Sequence, residues 1–209
     1  MRVLMFGWEF PPHIAGGLGT ACYGMTRGLA ENGVEVLFVM PSASGDEDQS
    51  SVRIINASDV AVDTMSETVD EFLGKVRFVH VGTNMVPYVS PEDFSSVVEE
   101  ERARQIKDFR ITYGQKYQFS GKYGTNLMEE VARYGMVGGT IALQHCDEFD
   151  VIHAHDWLTY LAGIAAKQLT GKPLVVHVHA TSFDRSSDDN IDTRVYDLEK
   201  RGMEAADKV

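Results

Sequence analysis

RVLMFGWEFPPHIAGGLGTACYGMTRGLAENGVEVLFVMP, residues 2–41, decides the fold class. RVLMFGW (2–8) is a short, nearly continuous apolar run, the pattern of a parallel strand buried on both faces. After a loop, EFPPHIAGG, the stretch from Leu18 to Gly33 reads as a helix. Leu18, Cys22, Met25 and Leu29 recur there at spacings of three and four, and Asn32-Gly33 supplies a stop. VEVLFVMP (34–41) is a second buried strand closed by a proline. Strand, glycine-rich turn, helix and strand make a βαβ unit, whose crossover is expected to be right-handed.

The same alternation returns in the last third of the chain. FDVIHAH (149–155) reads as a strand, and DWLTYLAGIAAKQLTG (156–171) as a helix ended by Gly171. KPLVVHVHA (172–180) is a strand, TSFDRSSDDN (181–190) a polar loop, and residues 191–207 another helix. Before them, LMEEVARYGMVGGTIALQH (127–145) is a longer helix with a weak point at Gly138-Gly139. The middle is less regular. A polar, acidic loop covers 42–52, and short β-like runs fall at 52–57, 75–82 and 85–89, with an acidic helical piece near 65–74. Ser90 and Pro91 mark a helix start, and the charged stretch 95–114 follows as a surface helix. The expected fold is α/β: a Rossmann-like, doubly wound, mainly parallel sheet over residues 1–209, with an irregular insertion at about 42–120. Lys208-Val209 reads as the start of a further strand, so the chain is expected to be a piece of a longer polypeptide.

Composition narrows the function classes. Of the 209 residues, 44% are hydrophobic and 24% charged, ordinary for a globular protein. The net charge of -12 argues against nucleic acid or an anionic membrane surface as the main partner. Cys22 and Cys146 stand in unrelated contexts without CxxC spacing, which fits a reducing compartment. No stretch approaches the length of an apolar membrane span, and the N-terminus lacks a signal-peptide core. The expectation is a cytoplasmic protein with no integral membrane segment.

In an open α/β sheet, ligands bind outside the carboxyl ends of the strands. Three loops leave strands there: EFPPHIAGGLGT, HAHDW and HATSFDR. Gly16, Gly17 and Gly19 allow close backbone approach to a ligand, and the helix behind them presents unpaired N–H groups to an anion. The pattern GGLGTA is neither GxGxxG nor a P-loop, and no acidic residue ends the second strand, which disfavours a nicotinamide dehydrogenase. Glu9 and His13 in this loop are placed either to reach a ligand or to hydrogen-bond the loop itself. Asp156 occupies a helix N-cap position, yet a carboxylate at that edge can also orient a substrate hydroxyl. Trp157 is the first packed residue of its helix. His179 ends its strand beside a small residue, where a functional imidazole belongs, whereas His177 reads as a core histidine. Thr181, Asp184 and Arg185 border the same edge.

Four of the seven histidines fall in two H-x-H pairs, His153/His155 and His177/His179. Imidazole suits zinc, and two neighbouring strand ends can bring three nitrogens together. Against a metal, i and i+2 residues share a face but lie at different depths, and the apolar flanks put His153 and His177 partly inside the sheet. The reading is no metal. A metal-dependent hydrolase on the H-x-H pairs, or a non-catalytic carbohydrate-binding module, is the alternative.

At these residues the chain resembles the GT-B retaining glycosyltransferases, of the glycogen/starch-synthase-like families. Three segments carry the resemblance: 8–41, 150–185 with its HAHDW and the later strand-end histidine, and the tail VYDLEKRGMEAADKV (195–209). The resemblance implies the N-terminal, acceptor-side half of a two-domain enzyme, with the donor-binding C-terminal domain as a partner absent from this chain. It implies His179 and Asp156 as catalytic residues, His179 contacting the donor sugar near the reacting carbon. It also implies Gly16, Gly17, Gly19, Glu9, His155 and Thr181 as donor- or acceptor-binding. The donor substrate would be a nucleotide-sugar, ADP- or UDP-glucose, and the acceptor a glycan, with no cofactor and no metal. One departure stands out: His13-Ile14-Ala15-Gly16-Gly17 carries no lysine before the paired glycines, which widens the donor class to UDP-, ADP- or GDP-sugars.

Overall fold

Among the described residues five strands make one sheet, in the order third, second, first, fourth, fifth along the chain and with every adjacent pair parallel, in the computed structural model of the chain. The structure describes residues 1–63, 114–124, 126–186 and 191–209. The strands are β1 (Arg2–Phe6), β2 (Glu35–Met40), β3 (Arg53–Asn56), β4 (Val151–His155) and β5 (Leu174–His177). The helices are α1 (Gly17–Glu31), α2 (Leu127–Gln144), α3 (Trp157–Thr170), α4 (Ser182–Arg185) and α5 (Thr193–Ala205). Among the described residues, no helix is long and apolar enough to cross a membrane. The runs expected at 75–89, the acidic piece near 65–74, the helix start at Ser90-Pro91 and nearly all of the charged stretch after it lie outside the described residues.

The period-two alternation of a strand separates two cores. Val3 and Met5 of β1, with Val36, Phe38 and Met40 of β2, pack under Leu18, Cys22, Met25 and Leu29 of α1. Leu4, Phe6, Leu37, Val39, Ile152, Ala154, Leu174 and Val176 face the other way, onto α2 and α3. Helices on both faces make the sheet doubly wound, as expected. Each fully buried Leu or Phe contributes about 1.5–3 kcal/mol, so the near-continuous apolar strands are what hold the layers together.

Several local expectations are met. Gly33 takes φ +73° after Asn32 and ends α1; Gly171 takes φ +70° and its N–H donates to the Lys167 carbonyl, ending α3. Lys208 forms a parallel bridge with Val175, the strand-like start expected at the tail.

Three readings change. Gly138-Gly139 is no weak point: α2 runs unbroken through it because α3 lies close there. A Cβ on Gly138 would meet the Ala162 Cβ at 2.6 Å, and one on Gly139 the Leu169 Cδ1 at 2.9 Å. β5 stops at His177, because beyond it the His179 N–H donates to the Asp156 carboxylate at 2.8 Å. The loop read from Thr181 instead begins with the short helix α4, since the Asp184 carboxylate accepts both the N–H and the hydroxyl of Thr181.

Candidate functional site

At the carboxyl edge the loop after β1 folds back over the start of α1. The cause is Glu9, whose buried carboxylate accepts from the backbone N–H of Ala15 at 2.7 Å and of Gly16 and Gly19 at 3.2 Å each. An internal carboxylate therefore satisfies donors that a helix N-terminus leaves open. Of the two roles open to Glu9, bonding the loop is the one the geometry displays. Gly19 is sterically required: a Cβ there would meet Ile14 at 2.4 Å and the Glu9 side chain at 3.0 Å. Gly16 and Gly17 face open space, with nothing nearer than 4.0 Å, so they keep a bare backbone exposed at the edge. His13 turns away, its Nε2 lying 2.8 Å from Asp46.

The next strand end carries Asp156, with φ 58° and ψ 169°. That conformation is rare for any residue but glycine, and among the described residues Asp156 is the only non-glycine with positive φ. It begins α3 but does not cap it with its side chain. Instead Oδ1 accepts the His179 N–H, and Oδ2 lies 3.6 Å from the Arg185 guanidinium. Arg185 also pairs with Glu199 of α5 at 2.6 Å, and Glu199, itself buried, accepts the N–H and hydroxyl of Ser182. A chain of charge-assisted bonds thus ties β4, α4 and α5 into one rigid rim.

His179 sits half-buried on that rim, its Nε2 at 2.9 Å from the Nδ1 of the fully buried His155. Burial lowers the His179 pKa, partly opposed by the Asp156 charge. Burial first, and then the neighbouring imidazoles, bring His153 down to about 4 and His155 to about 2. The pair is thus neutral near pH 7, one ring donating to the other.

The structure brings Asp156, His155 and His179 together and ties Glu9, Gly16 and Gly19 into the adjoining loop. Thr181 caps α4, its hydroxyl spent on Asp184. Trp157 is packed at the head of α3, as read. Two participants were missed. Glu199 lies in the tail segment already singled out, but nothing marks it among the other acids of that helix. Tyr123 is half-exposed, and its hydroxyl is pushed up to about 12, by burial first and then by the charges of Glu9 and Asp156. Those charges place an aromatic ring near the same edge. Chemically, the rim offers neutral imidazole, two carboxylates held by a guanidinium, and exposed glycine backbone.

The sheet and its rim make an α/β domain whose candidate site lies at the carboxyl edge, where open α/β sheets take their ligands. The chain belongs to the starch synthase catalytic domain family, whose model matches residues 2–209. It is 25% identical over 186 residues to an uncharacterized glycosyltransferase of Methanocaldococcus jannaschii, covering 88% of this chain and 32% of that protein. It is 26% identical over 187 residues to a glycogen synthase of Mycobacterium tuberculosis, covering 90% and 35%. Its backbone is similar to a sucrose-phosphate synthase of Thermosynechococcus elongatus, with a TM-score of 0.54 at 12% identity, over 99% of this chain and 41% of that one; this likeness shows the fold. The chain spans about a third of the length of the curated relatives it matches.

Proposed function

We propose that this chain is the acceptor-side half of a cytoplasmic, retaining hexosyltransferase. It moves a hexose, glucose in the first instance, from ADP- or UDP-glucose to a glycan acceptor, without a metal in the reaction. The observation that carries the reading is the placement of His179. Its main chain is gripped by a strained Asp156 from the neighbouring strand and its ring is held by His155. Backbone strain at a residue whose carboxylate serves a neighbouring strand end is characteristic of a preorganised reaction site. Family membership supplies the reaction class.

In this reading His179, neutral, donates a hydrogen bond to the hexose near the reacting carbon, while Asp156 fixes the rim. The bare backbone at Gly16 and Gly17 lets donor and acceptor approach closely. Charge building on the leaving diphosphate calls for cations and backbone dipoles, the largest usual contribution to such catalysis. Glu9, Asp156 and Glu199 make this rim acidic, so those cations come from the facing, donor-binding half.

The test is sugar transfer by the polypeptide that carries both halves, with maltooligosaccharide acceptors and a panel of nucleotide-sugars, with and without EDTA. Transfer should survive EDTA and fall by about 10²–10³ in kcat with His179→Ala, the usual loss for one electrostatic donor. Full activity in that variant would sink the assignment of His179.

A further inference from the structure

The two H-x-H pairs do more than supply His179. In parallel register Met5 pairs with His153 and His155 with His177, so these imidazoles stand on the α1 side of the sheet, the side of Met5. The rings form one patch. His155 lies 4.3 Å from His153 and 5.1 Å from His177 between centroids, and His153 lies 5.7 Å from His177. One ring nitrogen from each of these three residues lies within 4.8 Å of the others. His155 is completely buried, yet its Nε2 has no hydrogen-bond partner among the described residues. A buried polar atom left unpaired is costly. When Nδ1–H of His155 donates to His179, that Nε2 presents a bare lone pair toward the patch.

We propose that His153, His155 and His177 form a binding site for a borderline transition-metal ion, Zn²⁺ foremost, on the α1 side of the β4–β5 pair. Tetrahedral zinc holds its nitrogens at 2.0–2.1 Å, about 3.3 Å from one another, within reach of small ring rotations from the observed spacing. The His155–His179 bond serves as the outer partner that orients a metal-bound imidazole. Cys22, His155 and His179 also lie within mutual reach. That set would require breaking the His155–His179 bond, and burial pushes the Cys22 thiol up to about 12. The site lies behind the rim and leaves the proposed transfer chemistry to His179.

The experiment is a Co²⁺ titration of the untagged, EDTA-treated chain, read by visible d–d absorption, followed by Zn²⁺ competition and thermal melting. We expect saturation at one ion per chain, Zn²⁺ displacing the colour, no thiolate-to-cobalt charge-transfer band, and a Zn²⁺-dependent rise in Tm. His153→Asn and His177→Asn should each lose more affinity than the roughly 10–100-fold that follows loss of an outer partner. Cys22→Ser should leave the titration unchanged. His153→Gln and metal-free melts of every variant separate lost ligation from lost folding. Absence of colour and of any Zn²⁺ effect on Tm overturns the site, as does undiminished binding in a folded His153→Asn/His177→Asn double variant. Loss of binding on Cys22→Ser alone moves the ion elsewhere and overturns it too. None of these readouts depends on sugar transfer, so the site and the proposed function fail separately.

Discussion

Asp156 concentrates the logic of this molecule at the scale of one residue. Its backbone occupies a region that costs about 1–3 kcal/mol for a non-glycine residue, and its carboxylate offsets that cost by accepting the His179 N–H. Asp156→Ala should therefore lose the acceptor and keep the strain, whereas Asp156→Gly loses the acceptor but sheds the strain. The glycine variant is expected to be more stable than the alanine variant by about 1 kcal/mol, read from urea midpoints at equal m-value; equal midpoints would show the backbone is not strained. Glu9 makes the complementary case. Replacing it with alanine frees the N–H groups of Ala15, Gly16 and Gly19. Hydrogen exchange at those three amides should accelerate while the rest of α1 keeps its protection, and unchanged exchange there would refute the Glu9 tie.

Between elements, α2 packs tightly against α3, where Gly138 meets Ala162. Gly138→Ala should cost about 1–3 kcal/mol by overpacking. Gly24→Ala, on an exposed position of α1 with open space around it, should instead stabilise by about 0.5–1 kcal/mol. Opposite signs from the same chemical change, measured by thermal melts, would confirm that packing and not propensity sets the first. β1 and β4 are also tied by Arg2, whose guanidinium and N–H hold Asp150 down to about 2. A carboxylate with a depressed folded-state pKa stabilises above its ordinary value near 3.8 and loses that contribution as the pH falls through 2. The effect is small at this exposed pair. Asp150→Asn should flatten the acid limb of stability between those limits, and an unchanged limb would mean that the pair contributes nothing.

For the whole molecule, the rim is acidic, and Arg185 is committed to Asp156 and Glu199. A diphosphate should find little attraction there. The 209-residue chain is expected to bind maltooligosaccharide but to bind ADP- or UDP-glucose far more weakly than the polypeptide with both halves. Calorimetry on the two forms checks this, and tight nucleotide-sugar binding by the chain alone would contradict it. The same architecture explains why the histidine patch and the proposed reaction site share His155: parallel strands carry function at their ends while the faces behind remain available.

What the sequence determined by itself is what local periodicity and end signals encode. The apolar runs of β1, β2, β4 and β5, the three-and-four spacing of α1, and the Gly33 and Gly171 stops needed no partner from elsewhere in the chain. The carboxyl-edge location of Asp156 and His179 followed from the same alternation, because strand ends are local features. Only the tertiary structure decided which groups those side chains meet. Asp156 faces His179 instead of capping its own helix, Glu199 reaches the rim from α5, and Gly138 serves a contact with a helix some twenty residues on. The register that pairs His155 with His177 likewise aligns the four imidazoles. Each of these depends on how separate elements dock, and a one-residue slip between strands would leave the local pattern intact while turning the rings to opposite faces.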